Sequence, residues 1–352
     1  MVEGQEMQTG NISPAIWDRC FGHRVITSDG RRLSRDSFWK DHSGAPYEVI
    51  RPVGGKYDLS PEMIAAEAVN GSFLKTVNEP GRSGTGLKDW KNQESSRLSV
   101  RFLLTRDTTE EILQERMERI TQFCKRSNIG IVSADAAVSD AVSRDVMTAA
   151  AWTERPEPEE IRIPVSGQKE NAVPEGFAVC LAGCTGDAGI SILADAQKEL
   201  LKERFPAAFV EHAAKFGKNL LCRDLVSEKA GRIRTLPVGE GGIFAALWYF
   251  CRLWKTGARI DPRKIPIHQE TIEICEYLGI HPYQLYTCQA VLFAVHPDEV
   301  WPGAVRIGET IRGPACILEQ GEEVRYLEKP QPDGLLHYSN TTETKIKKQE
   351  RP

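Results

Sequence analysis

The chain has 352 residues, of which 41% are hydrophobic and 27% charged, and its formal net charge is −4. That is enough chain for two domains with real cores, and the charge balance excludes the broad basic surface of a nucleic-acid partner. No apolar run approaches the roughly 20 residues that cross a bilayer. The start, MVEGQEMQTG, has neither a basic nor an apolar leader region, so a cytoplasmic protein without a membrane partner is expected.

The nine cysteines are an odd number, and Cys124, Cys222, Cys251, Cys275 and Cys288 sit among apolar neighbours. They read as reduced, buried thiols. Cys180 and Cys184 are the one close pair, and a C-x3-C spacing without a second pair does not make a zinc site. His212, His268, His281 and His296 fall into no HxxxH or HxH pattern and read as surface or capping residues.

Residues 1–46 are polar and turn-rich and read as an arm, with one short helical patch at Ser13 to Cys20. A first domain is expected over 47–153. Its helix from Ser60 to Lys75 starts with Ser60 as N-cap, Pro61 at the first position and Glu62 behind it. Residues 78–97 then form a long connection with Gly81, Gly84 and Gly86 beside Arg82, Lys88 and Lys91. It reads either as a lid that closes over phosphates or as a plain solvated loop.

Leu98 to Leu104 reads as a strand. Thr108-Thr109-Glu110-Glu111 fits a capping box, and the helix behind it turns Ile112, Leu113, Met117 and Ile120 inward. Strands follow at Gly130 to Val138 and Asp145 to Trp152. The charged, proline-bearing stretch Glu154 to Glu160 is a boundary, and a second domain is expected over 161–328.

That domain opens with an extended Phe177 to Ala182, the loop Gly183-Cys-Thr-Gly-Asp-Ala-Gly189, and one long helix from Ile190 to Arg204. Gly239-Glu-Gly-Gly242 opens another helix, which buries Phe244, Leu247, Cys251 and Trp254 and stops at Gly257, where positive φ is expected. A helix from His268 to Leu278 buries Ile272, Cys275 and Leu278 and ends on Gly279, and Gln289 to Val295 is a buried strand. The polar residues 329–352, ending KKQERP, read as a disordered tail.

Strand, glycine loop and helix at 177–204 have the general form of an anion site, because helix-start N–H groups carry partial positive charge. The spacing is G-x-x-G-x-x-G rather than G-x-G-x-x-G, and no acid sits at the right place on a following strand, which disfavours a dehydrogenase. Gly183, Gly186, Asp187 and Gly189 are therefore candidates for nucleotide contact, with a tight packing turn as the alternative. Gly241 and Gly242 are candidates on the same terms, although Glu240 places negative charge where a phosphate would sit.

The order of glycine turn, helix, "Ile-Pro-Ile", helix, "Leu-Gly-Ile-His-Pro" and strand over 239–295 resembles the C-terminal domain of the AIR-synthase superfamily, nearest to hydrogenase-maturation protein E. The resemblance covers about residues 47–328. It implies an α/β (α+β) two-domain fold: an N-terminal sheet-plus-helix domain and a C-terminal mixed sheet layered with helices. It also implies a homodimer, a nucleotide or small-molecule substrate, and ATP and Mg as cofactors, used to activate an amide or carboxyl oxygen by phosphorylation.

Superfamily ATP sites gather several acids around Mg²⁺. Glu48 to Asp58 resembles the first acidic segment and leaves Asp58. Ser133-Ala134-Asp135-Ala136 resembles a Gly-Gly-Asp-Thr turn and leaves Asp135. These two are the candidate metal ligands. The Thr-Asp strand is missing, and Asn70-Gly71 stands where Asn-Asp is expected. The family's terminal cysteine has no match at Pro352, and the last cysteine, Cys316, sits in an apolar strand-like segment, so that cysteine's chemistry is not expected. The alternative is therefore a binding or scaffold homologue that kept the fold and lost the Mg-ATP acids.

Overall fold

The computed structural model describes residues 10–11, 46–77, 96–153, 173–218, 220–222, 225, 234–299, 301–330, 332–336 and 338. They form two compact units, one from 10–11, 46–76 and 96–153 and one from 77 and 173 onward. The helical patch expected at 13–20, nearly all of the connection at 78–97 and all of the boundary at 154–160 lie outside the described residues.

The first unit is a five-stranded sheet in the order β1-β4-β3-β5-β2, from Gly10–Asn11, Tyr47–Pro52, Ser96–Leu104, Ile129–Val138 and Val146–Thr153. Only β3 and β4 run parallel, and the other neighbours are antiparallel. Strand β3 alternates strictly: Leu98, Val100, Phe102 and Leu104 are buried, while Arg97, Ser99, Arg101 and Leu103 face the other side. That period of two covers one face with apolar packing and leaves the other partly open.

Helix α1 (Pro61–Val77) is almost wholly buried through Met63, Ile64, Ala65, Ala66, Ala68, Val69, Phe73 and Leu74. Ser60 precedes it, but its hydroxyl finds no partner and only its carbonyl joins the first turn. Helix α2 (Glu110–Arg126) packs on β4 and buries Leu113, Met117 and Ile120, while Ile112 is 38% exposed. The expected capping box does not form. Thr109 is the N-cap without a side-chain bond, and Thr108 spends its hydroxyl on Asp145.

The second unit is a seven-stranded mixed sheet in the order β12-β11-β8-β10-β6-β9-β7. Its strands are β6 Ala178–Gly183, β7 Arg234–Gly239, β8 Gly257–Ile260, β9 Thr287–Val295, β10 Ala304–Ile311, β11 Cys316–Gln320 and β12 Glu323–Tyr326. Helix α6 (Gly242–Leu253) lies over a core that includes Leu181, Leu292, Ile307 and Leu318 and contributes Ile243, Leu247 and Phe250. The single helix expected from Ile190 is instead α3 (Asp187–Ala196) and α4 (Lys198–Lys202), broken at Gln197; α5 (Ala207–Ala213) follows.

Two boundaries fall differently from the sequence reading. Helix α6 ends at Trp254, and the positive φ is taken by Lys255. Gly257 begins β8 instead, where a Cβ would meet the carbonyls of Gly313 (2.6 Å) and Ala315 (2.8 Å). Helix α7 (Gln269–Leu278) does end on Gly279 at φ 69° with His268 as N-cap. Its buried stripe is Thr271, Ile274 and Cys275, however, and Ile272 is exposed.

Candidate functional site

Asp58 sits in a loop made by Gly54 and Gly55. Gly54 has φ +96°, and a Cβ there would strike the Arg116 guanidinium; one on Gly55 would strike the Arg144 guanidinium. The two glycines thus let the backbone close around two arginines. Asp58 pairs with the second of these: Oδ1 accepts from Arg144 Nη2 at 2.5 Å, and Oδ2 accepts the Gly55 N–H at 2.7 Å.

Asp135 lies in the middle of β4, opposite Arg101 of β3, and accepts the Ala136 N–H at 2.9 Å. The turn expected at 133–136 is therefore continuous strand, because Ser133, Ala134 and Ala136 carry strand register without interruption. Where Asn-Asp is expected on α1, Asn70 is buried and Gly71 makes room for the Tyr47 ring, which a Cβ would strike.

Mg²⁺ needs several converging oxygens in near-octahedral geometry. Both Asp58 oxygens are engaged, one by Arg144 and one by the Gly55 N–H, and among the described residues no three His, Cys, Asp or Glu side chains gather to hold a metal. The described residues do not fit a magnesium site.

A buried acid that the sequence reading missed organises the first unit. Asp145 accepts from the Thr105 N–H (2.7 Å), the Thr108 hydroxyl (2.6 Å) and Arg116 Nη1 (2.7 Å). Burial pushes its carboxyl up, but the bonds from Thr108, Thr105 and Arg116 outweigh this and hold it below its ordinary value. It fastens the end of β3, the start of α2 and the start of β5 together.

In the second unit the two glycine turns meet one segment, 282–289. Gly183 (φ 85°) lies so close to the Gln289 carbonyl that no Cβ fits. Gly186 is the left-handed N-cap of α3 and gives its N–H to Thr287 Oγ1 at 2.7 Å. Gly189 gives its N–H to the Tyr286 carbonyl at 2.9 Å. Asp187, fully buried, accepts the N–H groups of Cys288 (2.9 Å), Gln289 (3.0 Å) and Ala188 (2.7 Å). Burial nevertheless pushes its carboxyl up to about 6. The loop 183–189 is a joint between β6, α3 and β9, and its carboxylate and amides face protein.

The turn at 239–242 has two sides. Gly242 (φ 61°) is packed, and a Cβ would lie 2.5 Å from the Tyr283 carbonyl and 2.8 Å from that of Leu285. Gly239 (φ 68°) is open, with nothing within 4 Å of where a Cβ would stand, and Glu240 is exposed. Gly241 is the left-handed N-cap of α6. Its N–H is taken at 2.8 Å by Asp333 Oδ2, whose other oxygen accepts the Leu335 N–H at 2.9 Å.

Residues 332–336 are thus packed in place within the stretch expected to be a disordered tail; residues 339–352 lie outside the described residues. Asp333-Gly-Leu-Leu336 carries the signal that the composition masks, an acid ahead of a short apolar helical turn.

No protein-family model matches the chain. It is 28% identical over 156 residues to carbamoyl dehydratase HypE of Rhizobium leguminosarum bv. viciae, covering 41% of this chain and 43% of that protein. It is 24% identical over 204 residues to a hydrogenase expression/formation protein of Methanocaldococcus jannaschii, covering 57% of this chain and 56% of that one. The matches thus span about half the length of these curated relatives.

Among solved structures, E. coli HypE aligns at TM-score 0.59 and 14% identity, over 92% of this chain and 97% of that one. HypE in complex with ATP aligns at 0.54 and 17%, over 86% and 90%. The thiamine monophosphate kinase AaThiL complexed with AMPPCP and TMP aligns at 0.52 and 12%, over 79% and 85%. These likenesses establish the expected fold: two units of mixed α/β structure with the AIR-synthase-like architecture.

Proposed function

We propose that this chain, whose fold is AIR-synthase-like, is an ATP-utilising protein of the hydrogenase-maturation kind that activates an amide or carboxyl oxygen of a small substrate by phosphorylation. The observation that carries this reading is the likeness over most of its length to two proteins of different activity, HypE and AaThiL, solved with ATP and with AMPPCP respectively. A shared fold and a shared class of nucleotide point to ATP as the feature common to the group. The partial matches to HypE and to a hydrogenase expression/formation protein favour maturation over thiamine-phosphate chemistry.

In this reading the loop at 183–189 sets the position of segment 282–289, and the open side of the other turn, Gly239 to Gly241, faces the ligand. Asp58 and Asp135 of the first unit are given no part in this contact: two carboxylates with no metal to bridge them repel phosphate, and Asp58 is held by Arg144.

A second reading is favoured by one observation, that the described residues gather no acidic metal cluster. A scaffold that binds nucleotide without consuming it would have that property. Incubation with ATP, Mg²⁺ and a panel of amide and carboxylate compounds, followed by quantification of ADP, separates the two. ADP released in step with a phosphorylated or dehydrated product supports the enzyme. Binding without ADP release in any mixture supports the scaffold.

A further inference from the structure

The chain beyond β12 does not leave the second unit. Leu327 packs on the main core and gives its N–H to the Cys316 carbonyl, and the Glu328 carbonyl accepts from Trp248 Nε1 at 3.0 Å on the outer side of α6. Asp333 then reaches the N-terminus of the same helix at Gly241. Gly334 lies against Ile280, where a Cβ would come within 2.8 Å of Cγ2, and Leu335 is buried. Tyr338 accepts from Gln197 at 3.2 Å, at the break between α3 and α4. The segment therefore runs back along α6 from its middle to its start, then passes to the end of α3.

Its hold is narrow. Strand β12, which precedes it, is an edge strand with all four residues exposed. Past Leu327, the buried side chains among the described residues of the segment are Asp333 and Leu335. The main anchor is thus a carboxylate, an expensive group to bury. Burial pushes it up to about 6, and the negative charge of Glu240 beside it adds to the shift. A segment whose buried side chains are one destabilised carboxylate and one leucine can open on its own while the sheet stays closed.

We propose that the described residues of 327–338 are a releasable strap, pinned by Asp333 to the Gly241 N–H, that shields the start of α6 at Gly241 and holds that amide closed to ligand. The shielding rests on the assignment of Gly239 to Gly241 to the ligand side made above; the strap itself does not. The negative charge of Asp333 occupies the position at the helix start that an anionic group of a ligand would seek. Such a ligand therefore has to displace the carboxylate.

Hydrogen–deuterium exchange of wild type, Asp333→Asn and Leu335→Ala tests the strap without ligand. Asparagine has one acceptor oxygen where Asp333 uses two, and loss of a charge-assisted bond is expected to speed exchange in 332–336 by about tenfold or more. Exchange in β6 and β9 should stay at the wild-type rate. Unchanged exchange in 332–336, or equal acceleration in β6 and β9, would overturn the strap, because the segment would then be ordinary core. Leu335→Ala keeps the test valid should the Asn variant fold poorly.

Calorimetric titration of the same three proteins with ATP tests the shielding, with tighter binding expected in both variants. A freed strap with unchanged ATP affinity would overturn it. If no protein bound ATP, the nucleotide reading and the shielding would both fall, while the exchange data would still decide whether the strap opens.

Discussion

Gly242 shows how a single residue separates packing from ligand contact. Its φ of 61° and the two carbonyls within 2.8 Å of a Cβ mean that Gly242→Ala adds backbone strain to a steric clash. A compatible Gly→Ala change shifts stability by only about 0.4–1 kcal/mol, so this one is expected to destabilise by clearly more than about 1 kcal/mol. The melting midpoint measures it; a midpoint within a degree of wild type would place the glycine's role elsewhere.

Asp187 makes an opposite kind of prediction, through pH. Its carboxyl stands at about 6 in the folded chain against an ordinary 3.8, so the folded state binds the proton more tightly than the unfolded state. The stability it contributes is complete below about 4 and is lost as pH rises through about 6. Asparagine does not titrate. The stability difference between wild type and Asp187→Asn should therefore shrink by about 2–3 kcal/mol from pH 4 to pH 7. Urea unfolding at those two pH values reads it, and a constant difference would contradict the burial argument. Asp333, pushed up to a similar value, predicts the same sign.

Among the elements, the start of α2 is the joint most exposed to mutation. Arg116 and Asp145 are a buried pair at 2.7 Å, and removing one partner strands the other charge. Arg116→Ala is expected to cost about 3–5 kcal/mol, and it should melt the first unit before the second in a two-transition scan. A single unshifted transition would refute this.

The strands of the first unit and helix α7 are legible in the sequence because their hydrophobic period and glycine stops are local signals. The capping box at 108–111 misleads because Thr108 answers an acid 37 residues away, which no local pattern carries. The turn at Asp135 misleads because a motif resemblance overrides plain strand register. Asp187 stands out in the sequence as a residue of interest, but its role does not. Its partners, the N–H groups of Cys288 and Gln289, come from a strand a hundred residues on. Asp333 is hidden for the same reason, inside a segment whose composition reads as a solvated tail.

For the whole molecule, the partly open face of the five-stranded sheet, with Ser99, Arg101, Asp135, Thr148 and Ala150 on one side, is where a second copy is expected to pair. Light scattering after size exclusion should report twice the 39.3 kDa of one chain, and Ala150→Arg should halve that mass by placing charge in the interface. A wild-type monomer would remove the dimer from the account.

The most direct test of the central claim is calorimetric titration of the intact chain with ATP in the presence and absence of Mg²⁺. Saturable binding at one nucleotide per chain is expected. Heats no different from dilution under both conditions would contradict it.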